Sequence, residues 1–388
     1  MKKILKTLTL ALSIVSLSAC NAKSKHSVQD LAVTTTILST SLKAITPEIK
    51  VALLLDTSNS MDGLIDQAKA QLWKIVNELS YAKCDTQHPN LRIALYEYGN
   101  DNLNAEEGYL RQVLPFSNDL DEISKSLFSL TTNGGNEYCG KVINSALNQL
   151  EWGNEAKDLK LIFIAGNEPY SQGQVSYKEA SKLAHEKDVT VNTIFCGDYD
   201  LGVSTQWKDG ADLTHGNYIA INHNQATVHV ASPYDDKILE LNKQLNTTYV
   251  AFGRRGKAKI EMQAEQDSNA RSYNKANAIS RTVSKSSRLY TNSSWDLVDA
   301  TEEANFSFDD IKDSELPKEL KGKSKSEIKI YVEDKAKQRK KIQEQIAILN
   351  LNRRKYIAKQ NKAANNDLES AMINALKSQA EQKNYKWE

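Results

Sequence analysis

Beyond its first twenty residues this 388-residue chain has no apolar run approaching the ~20 residues a membrane-spanning helix needs. It also has almost no net charge, since 50 Lys and Arg oppose 49 Asp and Glu, a balance of +1. No global field therefore favours nucleic acid or an acidic lipid surface. Basic runs such as Arg339-Lys340-Lys341 read as the solvated face of a helix. Catalytic signatures are missing too: there is no Ser-centred nucleophile motif, no Gly-rich phosphate loop and no convincing carboxylate pair. His215, His223 and His229 fit no compact zinc spacing, and no cysteine or carboxylate pair completes them. An enzyme is not the expectation.

What is present begins with Met1–Cys20. Lys2 and Lys3 precede an apolar stretch from Leu8 to Leu17, which ends in Leu17-Ser18-Ala19-Cys20. A basic start, a short apolar core and small residues at its end describe a cleaved export signal. The closing Cys resembles a bacterial lipoprotein box, which implies that Cys20 is lipidated and holds the protein at a membrane in the cell envelope. Asn21, where Asp would otherwise stand, resembles lipoproteins sorted to an outer membrane and facing the periplasm. Residues 21–47 are rich in Ser, Thr and Lys without a sustained period, and read as a tether.

The chain is organised around Val51–Leu55 and the Asp56-Thr57-Ser58-Asn59-Ser60 that follows. Five apolar residues bounded by small polar ones read as a fully buried strand. Asp56, Ser58 and Ser60 would converge just past its carboxyl end, where open α/β sheets keep their ligands. One carboxylate and two hydroxyls form a hard, oxygen-only set that suits Mg²⁺, Mn²⁺ or Ca²⁺. Leu64, Ile65, Ala68, Leu72, Ile75, Val76 and Leu79 then recur at helical steps. Further strands are predicted at Leu91–Tyr98, Tyr109–Phe116, Leu159–Ala165, Val189–Cys196 and Gly216–Ile221. The second and third of these six would form an antiparallel pair. Helices are predicted at Leu120–Leu130 (capped by Asn118 or Asp119), after Gly140 and at Ser176–Lys187. Alternation at this spacing implies a largely parallel sheet with helices on both faces.

Val51–Asp62, Val-Ala-Leu-Leu-Leu-Asp-Thr-Ser-Asn-Ser-Met-Asp, resembles the opening of a von Willebrand factor type A (vWA) domain. The likeness runs to about Asn222 and implies an open, mostly parallel six-stranded sheet whose short third strand is antiparallel. It also implies a metal-ion-dependent adhesion site that takes an acidic residue from a partner protein. In such domains the loop at Thr131–Glu137 supplies a Thr ligand, with an acid after a Gly run in some variants. Glu137 fits the acidic position here, with Thr132 as runner-up. Gly166 stands where the family usually has an Asp, so Asn167 or Glu168 would have to supply the missing oxygen, Glu168 being favoured.

The organisation expected is a signal at 1–20, a tether at 21–47, a vWA-like domain at 48–234 and a mostly helical region at 235–388. Within the last, Ile342, Ile346, Leu349 and Tyr356 fall on heptad-like seams that Arg353 interrupts. A helical hairpin packed on the sheet domain and a partner-binding coiled coil both fit this pattern. Three cysteines remain after Cys20. Cys139 and Cys196 are expected at one edge of the sheet and Cys84 at the other, which makes Cys139–Cys196 the expected disulfide.

Overall fold

The computed structural model describes residues 46–224, 230–360 and 368–387. The export signal, Cys20 and nearly all of the tether lie outside the described residues. The strands are β1 (Glu48–Asp56), β2 (Ala82–Cys84), β3 (Asn90–Tyr98), β4 (Leu110–Ser117), β5 (Leu159–Gly166), β6 (Thr190–Phe195), β7 (Tyr218–Ala220) and β8 (Tyr385–Trp387). Six of them form one sheet in the order β4-β3-β1-β5-β6-β7, parallel except for the β3–β4 pair. β1 is central because both its faces are covered, so its sequence is continuously apolar rather than alternating. Ile49, Val51, Leu53 and Leu55 enter one core, Ala52 and Leu54 the other.

The helices of the first half are α1 (Asp62–Leu79), α2 (Leu120–Phe128), α3 (Cys139–Gln149), α4 (Tyr177–Glu186), α5 (Tyr199–Ser204) and α6 (Trp207–Asp212). α1 and α2 cover the face of Val51 and Leu53, while α3, α4 and α6 cover the face of Leu54. Asp119 is the cap of α2, its Oδ1 accepting the backbone N–H groups of Asp121 and Glu122 at 3.1 and 3.0 Å.

The second half is helical and built onto the first. It contains α7 (Asp235–Asn246), α8 (Gly256–Tyr273), α9 (Lys275–Lys285), α10 (Leu297–Ala300), α11 (Lys325–Gln360) and α12 (Leu368–Glu381). α12 lays Leu368, Met372 and Leu376 into the core that α1 shares with β1 and β5. β8 then pairs antiparallel with β2, fastening the end of the chain beside Cys84. Ile342 and Ile346 of the 36-residue α11 reach this same core.

The expected Cys139–Cys196 bridge is not formed, and Cys84, Cys139 and Cys196 are all free and buried. Both thiols do stand near the carboxyl edge of the sheet, but on opposite faces. Cys139 packs with α3 and α4, and Cys196 with the α1 core. Sharing an edge is not sharing a side, and the strand layer separates them.

A buried ion cluster joins the two halves. Arg281 of α9 donates to Asp121 Oδ1 of α2 at 2.8 Å and to Asp267 of α8, and its guanidinium lies 4.8 Å from the centre of the Trp73 ring of α1. Tyr290 donates to the other Asp121 oxygen at 2.6 Å, and Lys285 reaches Asp267 at 2.9 Å. Arg281 is 1% exposed and, among the described residues, is the one cation that bridges Asp121 and Asp267. Removing it leaves the buried Asp121 carboxylate with Tyr290 as its only remaining side-chain donor among those residues, and Asp267 with Lys285 and two amides. Arg281→Ala should therefore destabilise the full chain by about 3–5 kcal/mol in urea denaturation. A loss below about 1 kcal/mol, the range of surface pairs, would show that the cluster does not join the halves.

Candidate functional site

β1 ends at Asp56, which is fully buried. Its Oδ1 accepts the backbone N–H of Ser58 at 2.7 Å, and its Oδ2 has no hydrogen-bond partner. The chain turns there through one 3₁₀ turn, Asn59–Met61, before entering α1. That turn sets the Ser58 and Ser60 hydroxyls 3.3 Å apart, Ser58 buried and Ser60 exposed.

The neighbouring strand β3 runs parallel to β1 and stops at Tyr98, opposite Asp56. Gly99 follows at φ +78°, and a Cβ there would stand 2.8 Å from both Asp56 Oδ1 and Glu137 Cγ. Glycine is thus required where the two acidic side chains converge.

Glu137 arrives on the loop before α3. Asn133 N–H donates to Thr57 O at 3.0 Å, Asn100 Nδ2 donates to Thr131 O at 2.9 Å, and Glu137 N–H donates to Gln172 Oε1 at 2.7 Å. These ties hold the Glu137 side chain inward, 3% exposed, with its Oε2 unpartnered. The positive end of the α3 dipole begins two residues later and favours a carboxylate there.

Burial, and then the Glu137 carboxyl beside it, push Asp56 well above the ordinary carboxylate range, and the Ser58 N–H offsets this only in part. Burial raises Glu137 as well. Two buried carboxyls this close do not ionise independently, because the second charge must form beside the first.

The loop after β5 closes the site. Asn167 Nδ2 donates to Ser60 Oγ at 3.1 Å, while its Oδ1 is another buried oxygen without a partner. Glu168 is exposed at the rim, its carbonyl accepting Trp207 Nε1–H at 2.8 Å. Thr132 donates to Asp62 Oδ1 at the start of α1. The structure therefore brings Asp56, Ser58, Ser60 and Glu137 together, adds Asn167, and leaves Thr132 and Glu168 at the margin. Gly99 and Gln172 escaped the reading of the sequence. Gly99 had a signal, a glycine ending the strand beside Asp56; Gln172 had none. Among the described residues no cluster of three or more His, Cys, Asp or Glu side chains is placed to hold a metal. The residues at this edge nevertheless fit a hard cation: when both carboxyls are ionised, Asp56 Oδ2, Glu137 Oε2 and Asn167 Oδ1 are buried oxygens without a hydrogen-bond partner, and a cation would take the place of the proton the two carboxyls otherwise share.

The raised carboxyls carry a pH signature. Their contribution to ion-free stability is fully present below the unfolded carboxylate pKa of about 4 and is lost as pH rises through the folded values. The ion-free thermal midpoint should fall over that interval, and Glu137→Gln should flatten the fall. An unchanged slope in Glu137→Gln, measured by thermal melts in chelator, would mean that the two groups do not interact.

The family model for the von Willebrand factor type A domain matches residues 50–232. No curated protein matches the chain. Among solved structures, the conserved hypothetical protein BatB from Bacteroides thetaiotaomicron is 18% identical, covering 45% of this chain and 90% of its own, with a TM-score of 0.34. The SpRpn10 VWA domain is 14% identical over 47% of this chain and 100% of its own, with a TM-score of 0.33. The pilus adhesin SpaC from Lactobacillus rhamnosus GG is 12% identical over 46% of this chain and 28% of its own, also at 0.33. The family match and the strand order stand on their own: residues 50–232 have the sequence pattern and the fold of a von Willebrand factor type A domain.

Proposed function

We propose that this chain is an envelope protein, lipid-anchored through Cys20, that binds a partner protein through a divalent cation at the carboxyl edge of its sheet. The observation that carries the reading is the pair of buried, unpartnered carboxyl oxygens, Asp56 Oδ2 and Glu137 Oε2. Left alone, such a pair is costly; with Mg²⁺, Mn²⁺ or Ca²⁺ its two charges are balanced. Asp56 and Glu137 would hold the ion, with Ser58, Ser60 and Asn167 contributing oxygens directly or through water. The ion would supply an electrophilic point for a partner's carboxylate, so the function is recognition and no bond is made or broken.

The surroundings suit a protein partner. Tyr199, Leu201 and Val203 of α5 are exposed, and α5 follows β6 at this same edge. The loop carrying Glu168 is stitched to the α5–α6 segment by Tyr170 N–H donating to Thr205 O at 3.0 Å and Ser171 Oγ donating to Gln206 at 3.1 Å. Exposed apolar side chains beside an ion site offer a partner contact area around its acidic residue.

A second reading, a metal-independent scaffold that works through its helical region, is favoured by one observation. Ile330, Ile348 and Leu351 of α11 are all more than half exposed, at 67%, 61% and 54%. Pull-down of envelope proteins with and without chelator separates the two readings, since the scaffold would be insensitive to it.

Glu137→Gln should weaken Mn²⁺ binding by about 1.5–3 kcal/mol in calorimetric titration of the full chain, the scale of a hydrogen bond to a charged group. Equal affinity in wild type and variant would remove Glu137 from the site. Cys20→Ala should move the processed protein from the membrane to the soluble fraction; retention through high-salt washing would contradict the anchor.

A further inference from the structure

The position where an acid would be expected in this fold holds Gly166, and the structure gives a steric reason. Leu55 pairs with Ala165, so the end of β5 lies beside Asp56. A Cβ on Gly166 would stand 2.5 Å from Tyr98 Oη, 3.1 Å from Asp56 Oδ2 and 3.2 Å from Trp207 Cη2. The first of these distances is closer than packed atoms approach one another, and the other two are merely tight.

Tyr98 cannot easily step aside. It leaves β3 on the far side of β1, is fully buried, and reaches across to donate its hydroxyl hydrogen to Ala165 O at 3.0 Å. The Cys139 thiol lies 3.8 Å from the same hydroxyl, and the ring packs in the core shared by α3 and α6. A hydroxyl from one strand thus occupies the space of a side chain on another.

We infer that Tyr98 determines where the second negative charge of the site stands. Its hydroxyl restricts position 166 to glycine, and Glu137 takes over the role of the excluded acid. Tyr98 is a positioning residue, acting on the site through Gly166 and touching no ligand. The charge half of this inference rests on the cation reading above, whereas the packing half does not.

The test compares Gly166→Ala in two backgrounds, wild type and Tyr98→Phe, by thermal melts of the full chain in chelator. Removing the hydroxyl deletes the 2.5 Å contact and leaves the ring. The alanine should lower the midpoint by several degrees in wild type and by less than half as much in the Tyr98→Phe background. The charge half is then read by Mn²⁺ titration of two multiple variants. Glu137→Gln with Gly166→Asp should bind as weakly as Glu137→Gln alone. Adding Tyr98→Phe should restore affinity to within about tenfold of wild type, the expected return from regaining a charged ligand. Equal midpoint losses in the two backgrounds would overturn the inference, as would a triple variant that stays weak while wild type binds. Absence of Mn²⁺ binding by wild type would sink the cation reading instead, and the melting comparison would still decide whether Tyr98 dictates Gly166.

Discussion

Two carboxyl groups buried against each other at the end of a parallel sheet are an unfavourable arrangement that the surrounding chain goes to some length to maintain. Asp56 is placed by the central strand, Glu137 by a loop tied down through Thr57, Asn100 and Gln172, and Gly99 is kept free of a side chain so that they can meet. Nothing in folding alone favours this, since an apolar pair would fill the space at lower cost. An unfavourable carboxyl pair at the ligand-binding edge of an open α/β sheet fits the cation site proposed above.

The same edge depends on what lies behind it. α1, which starts just after the Ser58–Ser60 turn, packs against α9 and α12 from the second half of the chain. Arg281 ties α1 to α2 and α8 by one guanidinium, so the helical region is part of the framework that orients the turn. This makes the helical half more than an appendage, even where its own sequence is poor in large apolar residues.

How far the sequence revealed this depended on whether the signal was local. The buried strand at Val51–Leu55, the amphipathic α1 and a cap of α2 at Asn118 or Asp119 all rest on periodicity and capping within a few residues, and all were legible. Glu137 was legible as a candidate only through its place after a Gly pair and the likeness to a known family. The free thiols of Cys139 and Cys196 were not, because sequence order places residues along a strand edge but does not say which face each takes once loops intervene. The Arg281 cluster joins positions 160 and 14 residues away, and β8 pairs with β2, which follows α1 in the first half of the chain. Those pairings follow from the tertiary arrangement, which no local pattern encodes. Gly166 was legible as a departure, but its cause sits on another strand, in the hydroxyl of Tyr98.

Whether the Asp56–Glu137 pair holds a cation, as proposed, is decided by anomalous scattering from crystals of the full chain grown with Mn²⁺. One strong peak is expected at this edge, at coordination distance (about 2.0–2.6 Å) from Asp56 Oδ2 and Glu137 Oε2. A map in which both carboxyls remain ion-free at saturating Mn²⁺, or in which Mn²⁺ sits only elsewhere on the protein, would contradict the proposal.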